Sequence, residues 1–115
     1  MTIDAAMTRG RHVGFATARL VSAIAHGGNQ PILCERVLEG DACAVCRFVD
    51  LVEIPVGADI GLHTHDRDAE ELYVIVCGTG SMRLDGDELT VRAGDVIVNR
   101  PGGSHGLRNT GDEPL

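Results

Sequence analysis

The chain has 115 residues, 43 % of them hydrophobic, and a net charge of −7; this fits one globular domain with a modest core and argues against a disordered or membrane-spanning chain. No apolar run approaches the ~18 residues of a membrane-spanning helix. The acidic balance, with ten arginines and no lysine, argues against a general nucleic-acid binder, because phosphate contacts need an excess of cations.

Asp4, Arg9 and Arg11 interrupt the N-terminus without an apolar stretch, so no secretory signal is read and a cytoplasmic location is expected. Residues 1–30 form an arm, in which Phe15 to Ala25 reads as a short helix or an arm strand. The loop from His26 to Pro31 follows, and His12 and His26 are expected to be exposed or singly hydrogen-bonded. From Ile32 the pattern becomes β. Strands are predicted over Ile32 to Leu38, Cys43 to Ile54, Ile60 to His65 and Glu71 to Cys77.

Asp85-Gly86 between two alternating runs, from Met82 to Val91, is a hairpin signal. Asp95 to Asn99 and His105 to Asn109 complete the set, separated by a Pro/Gly loop from Arg100 to Ser104. Short strands with turns at intervals of roughly ten residues predict one all-β sandwich or barrel over residues 31–115.

There are four cysteines, Cys34, Cys43, Cys46 and Cys77. Cys43 and Cys46 have redox-motif or half-zinc-site spacing. In a strand, however, they face opposite sides and cannot hold one ion. Free thiols without disulfides are the expectation.

The residues that carry chemistry lie elsewhere. His63 and His65, two apart, share one face of a strand. Glu71 opens the next strand, and the Pro/Gly turn delivers His105. Imidazole and carboxylate are common ligands of divalent transition metals, so His63, His65, Glu71 and His105 are the predicted metal ligands. Glu70 is the alternative carboxylate. Tyr73 shares parity with Glu71 and is a candidate to reach the same cavity. Arg47 and Arg83 read as solvated, Cys77 as a packing residue, and Asn109 as a turn-stabilising amide.

Two spacings resemble the motifs of the cupin superfamily. Gly57, five residues, His63-Thr64-His65, five residues, Glu71, six residues and Gly78 resemble the first motif, with one residue more than usual before the glutamate. Gly94, five residues, Arg100-Pro101-Gly102, two residues, His105, three residues and Asn109 resemble the second, with Arg100 where proline is usual. The resemblance implies a double-stranded β-helix, or jelly roll, of the small RmlC-like single-domain kind.

It also implies one divalent metal ion (Zn, Fe, Mn, Ni, Co or Cu) held by three His and one Glu. The implied activity is that of a metal-dependent enzyme on a small metabolite, by oxygenation or by non-redox rearrangement, isomerisation, lysis or cyclisation. Glu71 and Tyr73 are its candidate catalytic residues. The other reading is a non-catalytic metal- or metabolite-binding module, including one fused within a larger enzyme. Cupins of this kind usually continue into a further core strand where this chain reaches Leu115. An edge left open there leads to the expectation of a homodimer.

Overall fold

The computed structural model describes residues 9–115. The expected arm meets it from residue 9 onward. Thr17 and Ala18 N–H donate to Gly14 O in a single turn, and Val21–Ala23 forms a short strand, β1. The strand alternative over Phe15 to Ala25 is therefore realised over three residues. Eight more strands follow, β2 Ile32–Glu39, β3 Phe48–Glu53, β4 Asp59–Thr64, β5 Glu71–Val74, β6 Thr79–Leu84, β7 Asp87–Arg92, β8 Val96–Asn99 and β9 Ser104–Asn109.

All pairings are antiparallel. They make three sheets, β1-β2-β3, β4-β9-β6-β7 and β5-β8. The crossed order, with β9 between β4 and β6, is the long-range return of a jelly roll rather than a simple meander. Among the described residues there is no α-helix, and no helix is long and apolar enough to cross a membrane.

The core gathers one residue set from all three sheets: Ile32, Ile54, Ala58, Ile60, Ile75, Met82, Val91, Ile97 and Leu107. Strand alternation selects them. In β8, Val96 and Val98 face out while Ile97 and Asn99 are buried. The hairpin is where Asp85-Gly86 placed it, with Leu84 opposite Asp87 and both turn residues at positive φ.

Two strands are shorter than predicted. Cys43 to Arg47 is not strand, because β2 and β3 end as a pair at Glu39 and Phe48. The intervening residues make the connection through a 3-10 turn at Gly40–Ala42. Alternation without a neighbouring strand has nothing to hydrogen-bond, and Val45 is 97 % exposed there. β5 stops at Val74, leaving Cys77 exposed with only a long contact from its Sγ to Pro114 O at 3.8 Å, so it is not the packing residue expected.

The second motif's asparagine is a structural bolt. Asn109 Nδ2 donates to Ile54 O and to Glu113 O, both at 2.8 Å, and its Oδ1 accepts from Gly111 N–H at 2.9 Å. The chain's last residue is tied to the same place, since Ile54 and Leu115 exchange two backbone hydrogen bonds.

Candidate metal centre

His63 owes its direction to an irregularity in β4. Ile60 pairs with Leu107 and His63 with His105, so three steps along β4 match two along β9. The extra residue is a β-bulge at Gly61-Leu62, which reverses the facing of everything after it. Without the bulge, Ile60 and His63 would point to opposite sides; with it both point inward, and Leu62 is turned out, 56 % exposed. His65 lies two residues on and shares the direction of His63. Its N–H donates to Gly103 O, which fixes the loop leaving β4 against the loop leading into β9.

His105 sits across from His63 and is fully buried. The three rings crowd together: centroids lie 4.3 Å apart for His63 and His105, 4.6 Å for His65 and His105, and 5.2 Å for His63 and His65. One nitrogen from each lies within 4.8 Å of the others. Ligand atoms ~2.1 Å from a common ion stand about 3 to 4 Å apart, so the three nitrogens lie near the spacing of ligands on one ion. His63 Nδ1 donates to Gly61 O at 2.8 Å, which fixes the tautomer and leaves the Nε2 lone pair free for a ligand.

Glu71 stands just outside that triad. Its Oε2 lies 3.1 Å from His65 Nε2 and its Oε1 3.6 Å from His105 Nε2. Glu70 points the other way, its carboxylate 3.8 Å from the exposed Arg100 guanidinium, as the strand's alternation requires. The Tyr73 hydroxyl, on the Glu71 face of β5, lies 3.1 Å from His105 Nε2. Arg47 is exposed and paired with exposed Asp68 at 3.0 Å, and Arg83 lies on the outer face. All four cysteines are free.

Electrostatics follow from this crowding. Burial holds the His63 imidazole below its ordinary 6.5, and the neighbouring His105, His26 and His65 add to the effect. Burial pushes the Glu71 carboxyl up, but the neighbouring His105, Tyr73 and His65 side chains hold it below its ordinary value. Burial, with the Glu71 charge beside it, drives the Tyr73 phenol well above its ordinary value, so it remains protonated.

The set at neutral pH is thus a lone-pair donor at His63, a carboxylate and a phenol. A linkage prediction follows for the metal-free protein. As pH falls below 6.5, the unfolded chain protonates the histidine before the folded one does, so the stability contributed by His63 is present above 6.5 and is lost as pH falls through the folded-state value. The urea midpoint should drop between pH 8 and pH 5.5 in wild type, and drop less in His63→Gln.

Two features were not foreseen. The His26 ring lies flat on His63, with centroids 3.5 Å apart and planes 6° from parallel. Asn99, opposite Glu71 on β8, is 1 % exposed, and neither atom of its carboxamide has a hydrogen-bond partner; buried His105 Nδ1 also lacks one. For Asn99 a signal was available, since it is the one polar residue on the inward parity of an apolar strand.

A small antiparallel jelly roll with a cluster of three inward histidines at the end of two paired strands is a β-barrel with a candidate metal site. The chain belongs to the cupin family: the Cupin domain model matches residues 50–115. The "Oxalate-binding protein" of Thermotoga maritima is 36 % identical over 69 residues, 60 % of this chain and 56 % of that protein. An uncharacterised protein of Methanocaldococcus jannaschii is 40 % identical over 62 residues, 54 % of this chain and 49 % of its own length.

The chain thus spans about half the length of these curated relatives. Among solved structures, a predicted oxalate decarboxylase of Thermotoga maritima superposes with a TM-score of 0.85 at 27 % identity, covering 91 % of this chain and 92 % of that one.

Proposed function

We propose that this chain is a metal-dependent cupin that binds a small carboxylate-bearing metabolite, of the kind oxalate represents, and breaks a bond in it without net oxidation. The observation that carries the proposal is the triad of imidazole nitrogens within 4.8 Å of one another, with the Glu71 carboxylate against two of the three rings. His63, His65, His105 and Glu71 are the proposed ligands. Three neutral imidazoles and one carboxylate leave a divalent centre with a net charge near +1 and coordination positions for a ligand. Such an ion would polarise carboxylate oxygens as a Lewis acid.

The chain's own groups suit a carboxylate ligand. The unpartnered Asn99 carboxamide offers a donor and an acceptor together. A half-protonated dicarboxylate or a hydroxy acid satisfies both, and leaving both unsatisfied costs about 1–3 kcal/mol each. The buried Tyr73 phenol keeps its proton beside His105 and Glu71, which supports the reading of it as a proton donor. In monoprotonated oxalate, cleavage of the C–C bond releases CO2, protonation at carbon of the carbanion left behind gives formic acid, and its carboxyl proton restores the donor as formate leaves. Tyr73 is the proposed donor.

The name of the Thermotoga maritima relative favours a second reading, ligand binding without turnover. Calorimetry of oxalate against protein loaded with Mn(II), beside an assay for formate, separates the two. Binding with formate release, lowered at least ~100-fold in Tyr73→Phe with affinity kept, is the expected result. Binding without formate assigns the module role, and no heat at millimolar oxalate removes the ligand class.

The proposed assembly is a homodimer in the cytoplasm. Leu72 lies opposite Val98 and Val74 opposite Val96. With Val76 they leave an outward apolar face 41–67 % exposed, a surface that a second copy of the same sheet matches. Light scattering should give twice the chain mass, and Val74→Asp should give the chain mass. Four free thiols suit a reducing compartment.

A further inference from the structure

The His26–Gly28 turn lies outside both cupin motifs, yet it is fastened to β4 at the bulge that aims His63. Ala25 O accepts from Gly28 N–H at 2.9 Å and from Gly61 N–H at 3.0 Å. Asn29 completes the clamp, its N–H donating to Asp59 Oδ1 at 2.6 Å and its Nδ2 to Gly57 O at 3.0 Å. The turn passes so close that a Cβ on Gly61 would lie 2.0 Å from His26 O, so the approach exists only because residue 61 is glycine. His26 itself is in the left-handed region at φ 49, a conformation that costs most non-glycine residues and is more readily taken by Asn, Asp and His.

The consequence is the face-to-face stack of His26 on His63, 3.5 Å between centroids and 6° from parallel. Gly61 is the hub of both fixtures. Its N–H holds the arm, and its carbonyl accepts from His63 Nδ1 at 2.8 Å. The His63 ring is therefore held along its edge by a hydrogen bond and across its face by an imidazole. His26 is not one of the three residues whose nitrogens converge within 4.8 Å, and the residue is exposed.

Resting on the metal centre argued above, we infer that the N-terminal turn is part of the site and that His26 is a positioning residue, whose ring holds the His63 imidazole in its ligating orientation. The stack restricts rotation of His63 about its terminal torsion, which is otherwise broad. The arm thereby pre-organises a ligand that the barrel holds through one hydrogen bond and the edge contact with His105.

Co(II) binding tests this without turnover. Affinity is measured by competition with a chromophoric chelator, and the visible bands report the geometry at the ion. His26→Asn keeps the left-handed turn and removes the ring; His26→Phe keeps a ring that can stack and removes both nitrogens. His26→Asn is expected to weaken Co(II) binding roughly tenfold and to shift the bands, with the urea midpoint unchanged. His26→Phe is expected to restore affinity to within about twofold, with wild-type bands.

Wild-type affinity and bands in His26→Asn would overturn the inference. So would a folded His26→Phe protein as weak as His26→Asn, which would assign the imidazole nitrogens rather than the stack. A wild-type protein that binds no Co(II) would remove the metal centre itself, an outcome distinct from either.

Discussion

Asn109→Ala should lower stability by about 3 kcal/mol, and the melting temperature by roughly 12 °C. The side chain is 2 % exposed and makes three hydrogen bonds, two donated to Ile54 O and Glu113 O and one accepted from Gly111 N–H. Alanine removes all three; Gly111 is half-buried and Glu113 exposed, so water replaces part of what the Glu113 carbonyl and the Gly111 amide lose. Each such loss is worth about 1 kcal/mol net, more where the group stays buried. Ile54 O keeps its second donor, Leu115 N–H, so the sum stays near the number of bonds.

Asn109→Asp should not rescue, because it sets a carboxyl oxygen against two carbonyls. Thermal and urea unfolding of the metal-free protein measure both variants. A loss below about 1 kcal/mol would mean that the 109–115 segment is not held through this amide.

His105→Ala should weaken metal binding by at least ~100-fold, since even groups that merely support a ligand cost 10–100-fold when removed. His105 is the deepest of the three histidines, fully buried, and its Nε2 faces both the Tyr73 hydroxyl and Glu71. Removing it takes one of the four proposed donors and opens the centre between β4 and β9. Arg47→Ala, which breaks only an exposed ion pair with Asp68, should keep wild-type affinity. Chelator competition compares the three proteins. His105→Ala binding within tenfold of wild type would remove His105 from the centre.

The fold was largely legible because its signals are local. Asp85-Gly86 marks its hairpin, and the alternation of Val96 to Asn99 marks which side is buried. His63 and His65, two apart, announce a shared face. The second-motif spacing that carries His105 and Asn109 placed one histidine at the three-ring cluster and one amide at the chain's last turn.

What was not legible depends on partners distant in sequence. Cys43 to Arg47 alternates like a strand, but the β2–β3 register leaves it no neighbour. The bulge at Gly61-Leu62 reverses parity between Ile60 and His63, and only the pairing with β9 reveals it. His26 is 37 residues before His63 in the sequence, and only the closeness permitted at Gly61 brings the two rings together.

The central claim, a metal held by His63, His65, Glu71 and His105, is tested most directly by elemental analysis of protein purified with neither added metal nor chelator, beside Glu71→Ala prepared the same way. The expected result is about one equivalent of a single transition metal per chain, lost in the variant. Wild-type protein without metal, taking up none when Mn, Fe, Co, Ni, Cu or Zn is supplied, would contradict it and leave a cupin barrel whose three histidines serve packing alone.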